Sequence, residues 1–238
     1  MTVHTFHLAE VPPLMGARAL RRPPSSATAS GLDHAECLAL MRLGAPTLSR
    51  DRMQLRRLAV FAQWRDEAAV ERFLADDPLG RHLAQGWHVR LEFLRRWSTL
   101  AALPGLPARA GTWEQDEPVV AVTLARMRLG EVPRFLRWGK PVERLVRDHP
   151  GVTLALAAFR PPRTISTFSV WRTVREMEEM VRGRSAVPDP ERHSAAMAER
   201  QRRDFHHEFA TYRFRPLCEH GAWEGRTRIV PPGPGSTG

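Results

Sequence analysis

The chain has 238 residues, of which 42% are hydrophobic, so it can bury one large core or two small ones. Its formal net charge is +10, which is typical of proteins that bind nucleic acid or an anionic membrane surface. The basic residues are almost all arginines, with Lys140 as the only lysine, and they are scattered along the chain. No helix-turn-helix signature, zinc-ligand spacing or aromatic RNA-binding motif accompanies them, so we predict no nucleic-acid partner.

Three further features concern the cellular compartment. Cys37 and Cys218 are far apart and lack a partner motif, which argues against a disulfide framework and indicates a reducing compartment. The N-terminal residues lack the charged and apolar regions of a secretory signal. The longest apolar run, Val152–Phe159, is too short to cross a bilayer. We therefore expect a cytoplasmic protein, either free or in peripheral contact with a membrane.

The first half of the chain alternates between strand and helix patterns. Its least certain segment is Leu32–Leu43, whose composition favours a helix although the repeat described below calls for a strand. The other predicted elements are strands at Thr2–Val11, Leu58–Trp64 and Trp87–Leu94, helices at Pro12–Leu20 and Asp66–Leu74 (the latter with an alternative end at Leu83), and a loop at Pro23–Ser30.

The second half follows a turn-rich, aperiodic stretch at Leu103–Pro118. Gly139 and Pro141 interrupt its first helical pattern, which predicts a kinked or broken helix. The Pro/Gly-rich end, Pro231–Gly238, is predicted to be disordered. The predicted elements are strands at Val119–Met127, Val152–Phe159, Thr164–Trp171 and Thr211–Leu217, helices at Val132–Arg147, Thr173–Arg182 and Glu191–Phe209, and a loop at Ser185–Pro190.

One stretch occurs twice. The sequence FAQWRDEAAVERFL, Phe61–Leu74, matches FSVWRTVREMEEMV, Phe168–Val181, at a shift of 107 positions. In each copy a strand pattern ends at Trp-Arg and a helix cap follows, Asp66 in the first copy and Thr173 in the second. The agreement of strand end, cap and apolar phase predicts a duplicated unit.

The element order in the second half is β-α-β-β-α-β, which is the ferredoxin-like motif, and the first half fits the same order. A sheet with helices on one face needs cover on the other. We therefore predict an α+β fold in which two ferredoxin-like repeats pack their antiparallel sheets face to face as an α+β barrel, with a pocket between the sheets. The predicted boundaries are residues 1–102 and 119–225 for the repeats, 103–118 for the linker and 226–238 for a disordered tail.

Several segments together resemble the spheroidene monooxygenase family of carotenoid biosynthesis. They are AVFAQWRDEAAVERFL, PVVAVTLARMRL, PGVTLALAAF, TFSVWRTVREMEEMV and HSAAMAERQRRDF–YRFRPLCEHGAW, and they span about Leu58 to Trp223. The resemblance implies a ferredoxin-like architecture of the dimeric α/β-barrel type. It also implies oxygen insertion from molecular oxygen into an acyclic carotenoid, with haem as cofactor. An electron donor such as ferredoxin and a homo-oligomeric state would accompany that activity.

His193 is the first candidate haem ligand, because the resemblance places a histidine at this point of the last helix. The helical ladder that it begins is mostly apolar: His193, Met197, Gln201, Phe205, Phe209. An imidazole on such a stripe could reach a haem iron. A histidine near a helix start that faces solvent or bonds locally is the structural alternative.

The rival ligand is His207, or its neighbour His206, although only one of two adjacent helical histidines can enter a given pocket. The structural alternative is a cationic pair that complements the helix dipole. Cys218 is expected to be a small core residue. Arg172, which follows the second copy's Trp, could contact a haem propionate or form a surface salt bridge. The same holds for Arg126, Arg128, Arg134 and Arg137, which could also touch an acidic membrane surface.

The tryptophans are expected mainly in the core. Trp64 and Trp171 end equivalent strands, where a large indole covers the end of a sheet. A polyene channel is the alternative for four others, Trp87, Trp97, Trp138 and Trp223.

Three functions remain open from the sequence. The first is a haem-dependent monooxygenase acting on a carotenoid-like polyene. The second is a cofactor-free small monooxygenase, or a haem enzyme of other chemistry, in this fold. The third is a non-catalytic protein that binds a lipophilic molecule. No hydrolase elbow, P-loop, Rossmann glycine pattern or zinc spacing occurs in the sequence.

Overall fold

The structure, a computed structural model, describes residues 2–43, 52–103 and 105–233. The strands within these ranges are β1 (Val3–Glu10), β2 (Leu32–Met41), β3 (Met53–Trp64), β4 (Trp87–Trp97), β5 (Val119–Met127), β6 (Val152–Arg160), β7 (Thr164–Trp171) and β8 (His206–His220). The helices are α1 (Pro13–Arg21), α2 (Glu67–Asp76), α3 (Pro78–Gln85), α4 (Val132–Arg147), α5 (Val174–Val181) and α6 (Arg192–Arg202).

The eight strands close into one antiparallel barrel in the order β1-β3-β2-β6-β7-β5-β8-β4. Within it, the first half contributes β4-β1-β3-β2 and the second half contributes β8-β5-β7-β6, so both halves have the same internal order. The two sheets face each other and also join along both edges, where Leu40 pairs with Ala158 and Phe93 pairs with Phe214. The predicted α+β barrel of two ferredoxin-like repeats is therefore confirmed.

The repeated stretch has the same local structure in both copies. The Asp66 carboxylate accepts a hydrogen bond from Ala69 N at 2.8 Å, and the Thr173 hydroxyl accepts one from Glu176 N at 3.1 Å. Both predicted caps therefore form and start α2 and α5 directly after the strand that ends in Trp. Trp64 and Trp171 are each 1% exposed and pack under these helices, which confirms that they are core residues.

A glutamate shared by the two copies bonds to an arginine on the last strand of its own repeat. Glu71 on α2 accepts a hydrogen bond from Arg90 on β4 at 2.6 Å. Glu178 on α5 accepts one from Arg213 on β8 at 3.0 Å. Both arginine side chains are nearly buried, so these pairs tie a helix to the outer face of the sheet in each half.

The middle of the barrel is filled by side chains. Successive residues of a strand point to opposite faces, so one set per strand points inward and the other packs under the helices. The rings of Phe6 on β1 and Phe168 on β7 stack across the interior with their centroids 3.6 Å apart. Other inward residues are Leu8, Leu38, Phe61, Trp87, Val89, Leu91, Val120, Val122, Val170 and Phe214. The expected open pocket between the sheets is thus a packed core at its centre.

Some predicted elements differ from the structure. The ambiguous segment at Leu32–Leu43 is the strand β2, because pairing with β3 and β6 overrides its helical composition. α4 is one continuous helix from Val132 to Arg147, with Pro141 inside it. The predicted helix at Glu191–Phe209 is wrong after Arg202, since β8 begins at His206 and its pairing with β5 takes these residues into the sheet.

The C-terminal segment closes one end of the barrel. The Glu219 carboxylate accepts hydrogen bonds from Trp87 Nε1 at 2.7 Å and from the backbone of Ile229 at 3.0 Å. Ile229 is 1% exposed, so the described part of the predicted tail is packed against the barrel. Residues 234–238 of that tail lie outside the described residues. In the part of the chain that the structure describes, no helix combines the length and the apolar character that a membrane crossing requires.

Candidate active site

β1 places a histidine inside the barrel. Strand alternation sends His4 to the same side as Phe6, a member of the interior core. The centroid of the His4 ring lies 5.1 Å from that of Phe214 and 6.0 Å from those of Phe61 and Phe93. His4 is 1% exposed, so three phenylalanine rings surround an imidazole that solvent does not reach.

The His4 imidazole is neutral, and its contact with the Gln63 side chain falls short of full hydrogen-bond geometry. Neither ring nitrogen has a partner at hydrogen-bond geometry among the described residues. Burial lowers the pKa of His4 from 6.5 to about 4, and the Gln63 side chain opposes this shift. A neutral imidazole has one nitrogen that can accept a proton. Buried polar groups without partners are rare in proteins, and they are often explained by a catalytic role or by a bound water or ion.

Two other interior side chains share this property. Gln63 on β3 is the strand partner of His4, and its Oε1 atom has no partner among the described residues. Tyr212 on β8 is fully buried, and its hydroxyl lies near the Leu100 backbone without full hydrogen-bond geometry. Its ring centroid lies 6.4 Å from that of Phe61 and 6.3 Å from that of Phe214. Burial raises the pKa of Tyr212 to about 12, so the phenol keeps its proton and remains a donor.

A buried carboxylate with two arginines lies next to these groups. Glu36 on β2 is 2% exposed and binds Arg160 on β6 and, at 3.3 Å, Arg126 on β5. His34 Nε2 lies 3.4 Å from the same carboxylate. Burial alone would raise the pKa of Glu36, but His34 and the two arginines together lower it below its usual value. Glu36 is therefore ionised and held in place.

These residues form a continuous polar band around one end of the barrel, which we call the polar mouth. Gln63 is the strand partner of both His4 and His34, and Arg126 Nε continues the band by binding Glu208 on β8 at 2.6 Å. The polar mouth consists of His4, His34, Glu36, Gln63, Arg126, Arg160, Glu208 and Tyr212. The aromatic rings around His4 lie directly beneath it.

The segment after β4 covers the polar mouth. Leu100, Leu103 and Leu106 are buried and belong to the interior core. Ala101 N donates to Glu208 at 3.2 Å, and Arg96 Nε donates to Leu106 O at 2.7 Å. A molecule that enters the barrel by this end must therefore displace the leucines.

The predicted ligand residues lie away from the polar mouth. His193 is half-buried on α6, and its Nδ1 lies 3.2 Å from the carbonyl oxygen of Val181 at the end of α5. Arg172 is exposed just before α5. His207 is exposed on β8, whereas its neighbour His206 is buried and bonds to Asp204 at 3.0 Å. The structure brings none of these three predicted residues together with another.

The predicted cysteine, tryptophan and arginine candidates do not form a common site either. Cys218 is exposed on β8, so the prediction of a core cysteine is wrong, and partial burial raises the pKa of its thiol. Trp87 lies in the barrel core, and Trp97 is 40% exposed on the outer face, where Arg95 lies over its ring at 4.5 Å. The tryptophans therefore do not line one channel. Arg134 binds Glu131 and Glu199, so protein carboxylates already occupy it.

His193 does not line the cleft that lies beside its helix. A cleft of about 310 Å³ lies between α4 and α6, and its lining contains no histidine: Arg137, Trp138, Pro141, Glu191, Arg192 and Ala195. His193 instead faces Val181 on α5. Among the described residues, no group of three or more His, Cys, Asp or Glu side chains is arranged to hold a metal ion. Ligation by His193 or His207 stays a prediction.

Comparisons with known proteins give only distant likenesses. No protein-family model matches the chain, and no curated protein matches it either. A provisionally named monooxygenase from Fusobacterium nucleatum is 8% identical with a TM-score of 0.38, over 92% of this chain and 94% of that one. An anthrone oxidase-like protein is 14% identical with a TM-score of 0.35, over 94% and 95%. A haem-degrading enzyme from Listeria monocytogenes is 11% identical with a TM-score of 0.29, over 87% and 98%. At such values no residue role or activity carries over to this chain.

The sequence carries a signal for His4 that lies outside the motifs considered above. His4, Phe6 and Leu8 alternate with Thr5 and His7, which places His4 on the apolar side of a strand. Gln63 similarly continues the inward series of Ala59 and Phe61. A polar residue on an inward series is a candidate site residue, and the repeat indicates which strands line the barrel.

Proposed function

We propose that this chain is a monooxygenase that binds a lipophilic, conjugated substrate in the barrel at the polar mouth. The observation that carries the proposal is the neutral His4 imidazole, buried among three phenylalanine rings. Flat aromatic walls suit a planar conjugated molecule because they offer it a large contact area. The imidazole is unprotonated at neutral pH and can accept a proton from such a substrate, and the negative charge that develops on the substrate would offset the low basicity that burial imposes.

The reaction that this arrangement supports needs no added reductant. His4 accepts a proton from a substrate CH₂ group that is acidified by conjugation, and the remaining electron pair attacks molecular oxygen to form a C–O bond. His4 returns its proton to give a hydroperoxide. The O–O bond then breaks as the carbon loses its second hydrogen, which leaves a carbonyl group and one water molecule. The substrate supplies all four electrons that the oxygen molecule takes up.

The neighbouring side chains have roles that follow from their protonation states. Tyr212 stays protonated because burial raises its pKa to about 12, so its hydroxyl can donate to the oxygen of a conjugated carbonyl as negative charge develops there. Gln63 lies opposite His4 and can hold the substrate's polar end through its amide. The leucines over the polar mouth exclude water, which would otherwise protonate the carbanion.

A narrower form of the proposal follows from the sequence resemblance. There the substrate is an acyclic carotenoid, haem is the cofactor, His193 or His207 is its ligand, and a ferredoxin supplies electrons. The C–H bonds of a polyene are not acidic, so His4 would not start that reaction. The two forms are therefore distinguished by their need for an added reductant. A protein that binds such molecules without oxidising them is the third case.

Oxygen uptake by the purified protein tests the proposal. Conjugated CH₂-acidic aromatics and acyclic carotenoids are supplied in turn, with and without reduced ferredoxin, and products are examined by mass spectrometry. We expect uptake with the first class and no added reductant, with one oxygen atom incorporated into the product. Uptake only with carotenoid and ferredoxin supports the narrower form. Binding without any uptake contradicts both.

A further inference from the structure

α4 presents a basic stripe to solvent. Arg137, Lys140 and Arg144 lie at intervals of three and four residues, which places them on one face of the helix. Of the sixteen residues of α4, only Leu145 is fully buried. The helix therefore lies on the barrel with much of its surface uncovered.

The cations of this stripe form no direct ion pair with a described residue. The side chains of Arg137, Lys140 and Arg144 form no hydrogen bond or ion pair with a residue that the structure describes. Other arginines of the same helix do, since Arg134 binds Glu131 and Arg147 binds Asp148. Glu199 lies within electrostatic reach of Arg137 and Asp148 within that of Arg144, so the stripe keeps an excess of positive charge on two exposed arginines and a half-buried lysine.

Apolar groups accompany these charges. Leu129, in the 3-10 turn just before α4, is 59% exposed. Trp138 and Pro141 are half-buried beside the stripe, where they line the cleft between α4 and α6 together with Ala195. Arg137 lines the same cleft together with Glu191 and with Arg192, which binds Asp189 at 2.8 Å, so the apolar walls lie next to charged groups, of which Arg137 forms no direct ion pair with a described residue. A lipid headgroup with the start of its acyl chain has the matching chemistry.

We propose that this basic face of α4 binds the surface of a bilayer that contains anionic phospholipids. A basic amphipathic helix with an aromatic residue and exposed apolar residues is typical of segments that lie in a membrane interface. The charges would meet lipid phosphates, while Leu129 and Trp138 would contact the headgroup boundary. The exposed apolar groups favour a bilayer over nucleic acid, which would use the charges but leave Leu129 in water.

One end of α4 lies on the same side of the barrel as the polar mouth. The helix begins five residues after the end of β5, the strand that carries Arg126 of the polar mouth. Its N-terminal end is therefore on the side of the barrel where the polar mouth opens. Binding there would bring the polar mouth near the phase in which a lipophilic substrate dissolves. The membrane proposal itself does not depend on the proposed monooxygenase activity.

Sedimentation with lipid vesicles tests the proposal. Phosphatidylglycerol vesicles are compared with phosphatidylcholine vesicles at low salt, using the full chain and a variant carrying R137Q, K140Q and R144Q. We expect binding to the anionic vesicles only, and a loss of roughly 100-fold in the partition coefficient of the variant. The matched control carries R18Q, R56Q and R72Q, which remove the same charge from exposed positions on α1, β3 and α2. It should lose less than about threefold, because those charges lie on elements of the first half of the chain and not on α4.

Several outcomes would overturn the proposal. The absence of binding to anionic vesicles at low salt would do so, as would equal losses in the variant and the control. Displacement of the protein by excess inorganic phosphate would indicate a site for a free anion instead. Binding of a single-stranded oligonucleotide through the same three residues, without vesicle binding, would identify nucleic acid as the occupant. No substrate is needed, so failure here leaves the proposed activity untouched. Far-UV circular dichroism checks that each variant is folded.

Discussion

His4 on β1 stands directly opposite Gln63 on β3, and both side chains point into the barrel, where their contact falls short of full hydrogen-bond geometry. His7 lies three residues further along β1 and is equally buried, but it points outward and stacks on His88 at 5.1 Å. Both nitrogens of His7 are also unpartnered. One strand therefore carries a histidine at the candidate site and a second that can serve as its matched control.

The replacement of His4 by leucine should stabilise the fold. A buried polar group without a hydrogen bond costs about 1–3 kcal/mol, and an apolar side chain of similar size removes this cost. We expect His4→Leu to raise the free energy of unfolding by about 1 kcal/mol or more, measured by urea denaturation, while activity is lost. A clear loss of stability would mean that the His4 ring nitrogens form hydrogen bonds in solution, which would contradict this expectation.

The stacked pair at the centre of the barrel should be a major source of stability. Phe6 is 1% exposed, and its ring lies on that of Phe168. Phe6→Ala should lower the free energy of unfolding by about 3–5 kcal/mol, because it leaves a cavity in a closed core. Leu14→Ala, at a position on α1 that is 87% exposed, should change it by less than about 0.5 kcal/mol. Similar effects of the two substitutions would contradict the packed interior.

Acid should destabilise the protein in a window set by its buried histidines. The pKa of His4 is about 4 in the folded state and 6.5 in the unfolded state, so the unfolded chain binds more protons between these values. The free energy of unfolding therefore keeps its full value above pH 6.5 and falls as the pH decreases towards about 4. Burial also lowers the pKa values of His88 and His206 to about 4, and it holds the pKa of His7 well below its usual value. The protonation of His4 alone should lower the free energy of unfolding by about 3 kcal/mol over this pH range.

Urea denaturation at several pH values checks this expectation. His4→Gln should remove the part of the pH dependence that belongs to His4, whereas the exposed His207→Gln should leave the profile as it is. A free energy of unfolding that stays constant from neutral pH to about pH 5 would contradict the assigned burial.

The candidate haem ligand can be tested by spectroscopy. Because His193 faces the carbonyl oxygen of Val181 and does not line the cleft between α4 and α6, we expect His193→Ala to leave the spectrum of protein mixed with haemin unchanged. His207→Ala serves as the parallel test of the second candidate. A Soret band in the wild-type protein that shifts or disappears in either variant would identify that histidine as the ligand and favour the narrower, haem-dependent form of the proposal.

The fold was predictable because its signals are local and occur twice. The Asp66 and Thr173 caps fixed the two helix starts, and the shared glutamates found equivalent arginine partners. The end of α6 was not predictable, since residues up to Phe209 continue a helical pattern and only the pairing of β8 with β5 assigns them to the sheet. Here tertiary hydrogen bonding overrides local propensity.

The candidate site was missed because its residues are far apart in sequence. His4, Gln63 and Tyr212 come from three strands, and only closure of the barrel places them around the same phenylalanine rings. Glu36 and Arg160 likewise belong to different repeats and meet only where β2 joins β6. The sequence analysis predicted ligand histidines on a helix, whereas the structure places the buried imidazole of His4 on a strand. The register of the closed barrel brings these residues together, and no local sequence pattern predicts that register.

The most direct test of the account is the rate of oxygen uptake by His4→Gln compared with His7→Gln, with a conjugated CH₂-acidic substrate and no added reductant. The two substitutions remove the same group from the same strand, at equal burial, on opposite faces. The account predicts a loss of about 10²–10⁴-fold in kcat for His4→Gln, since the proton acceptor is gone, and little change for His7→Gln. Equal rates in the two variants, or a loss confined to His7→Gln, would contradict the assignment of the barrel interior as the active site.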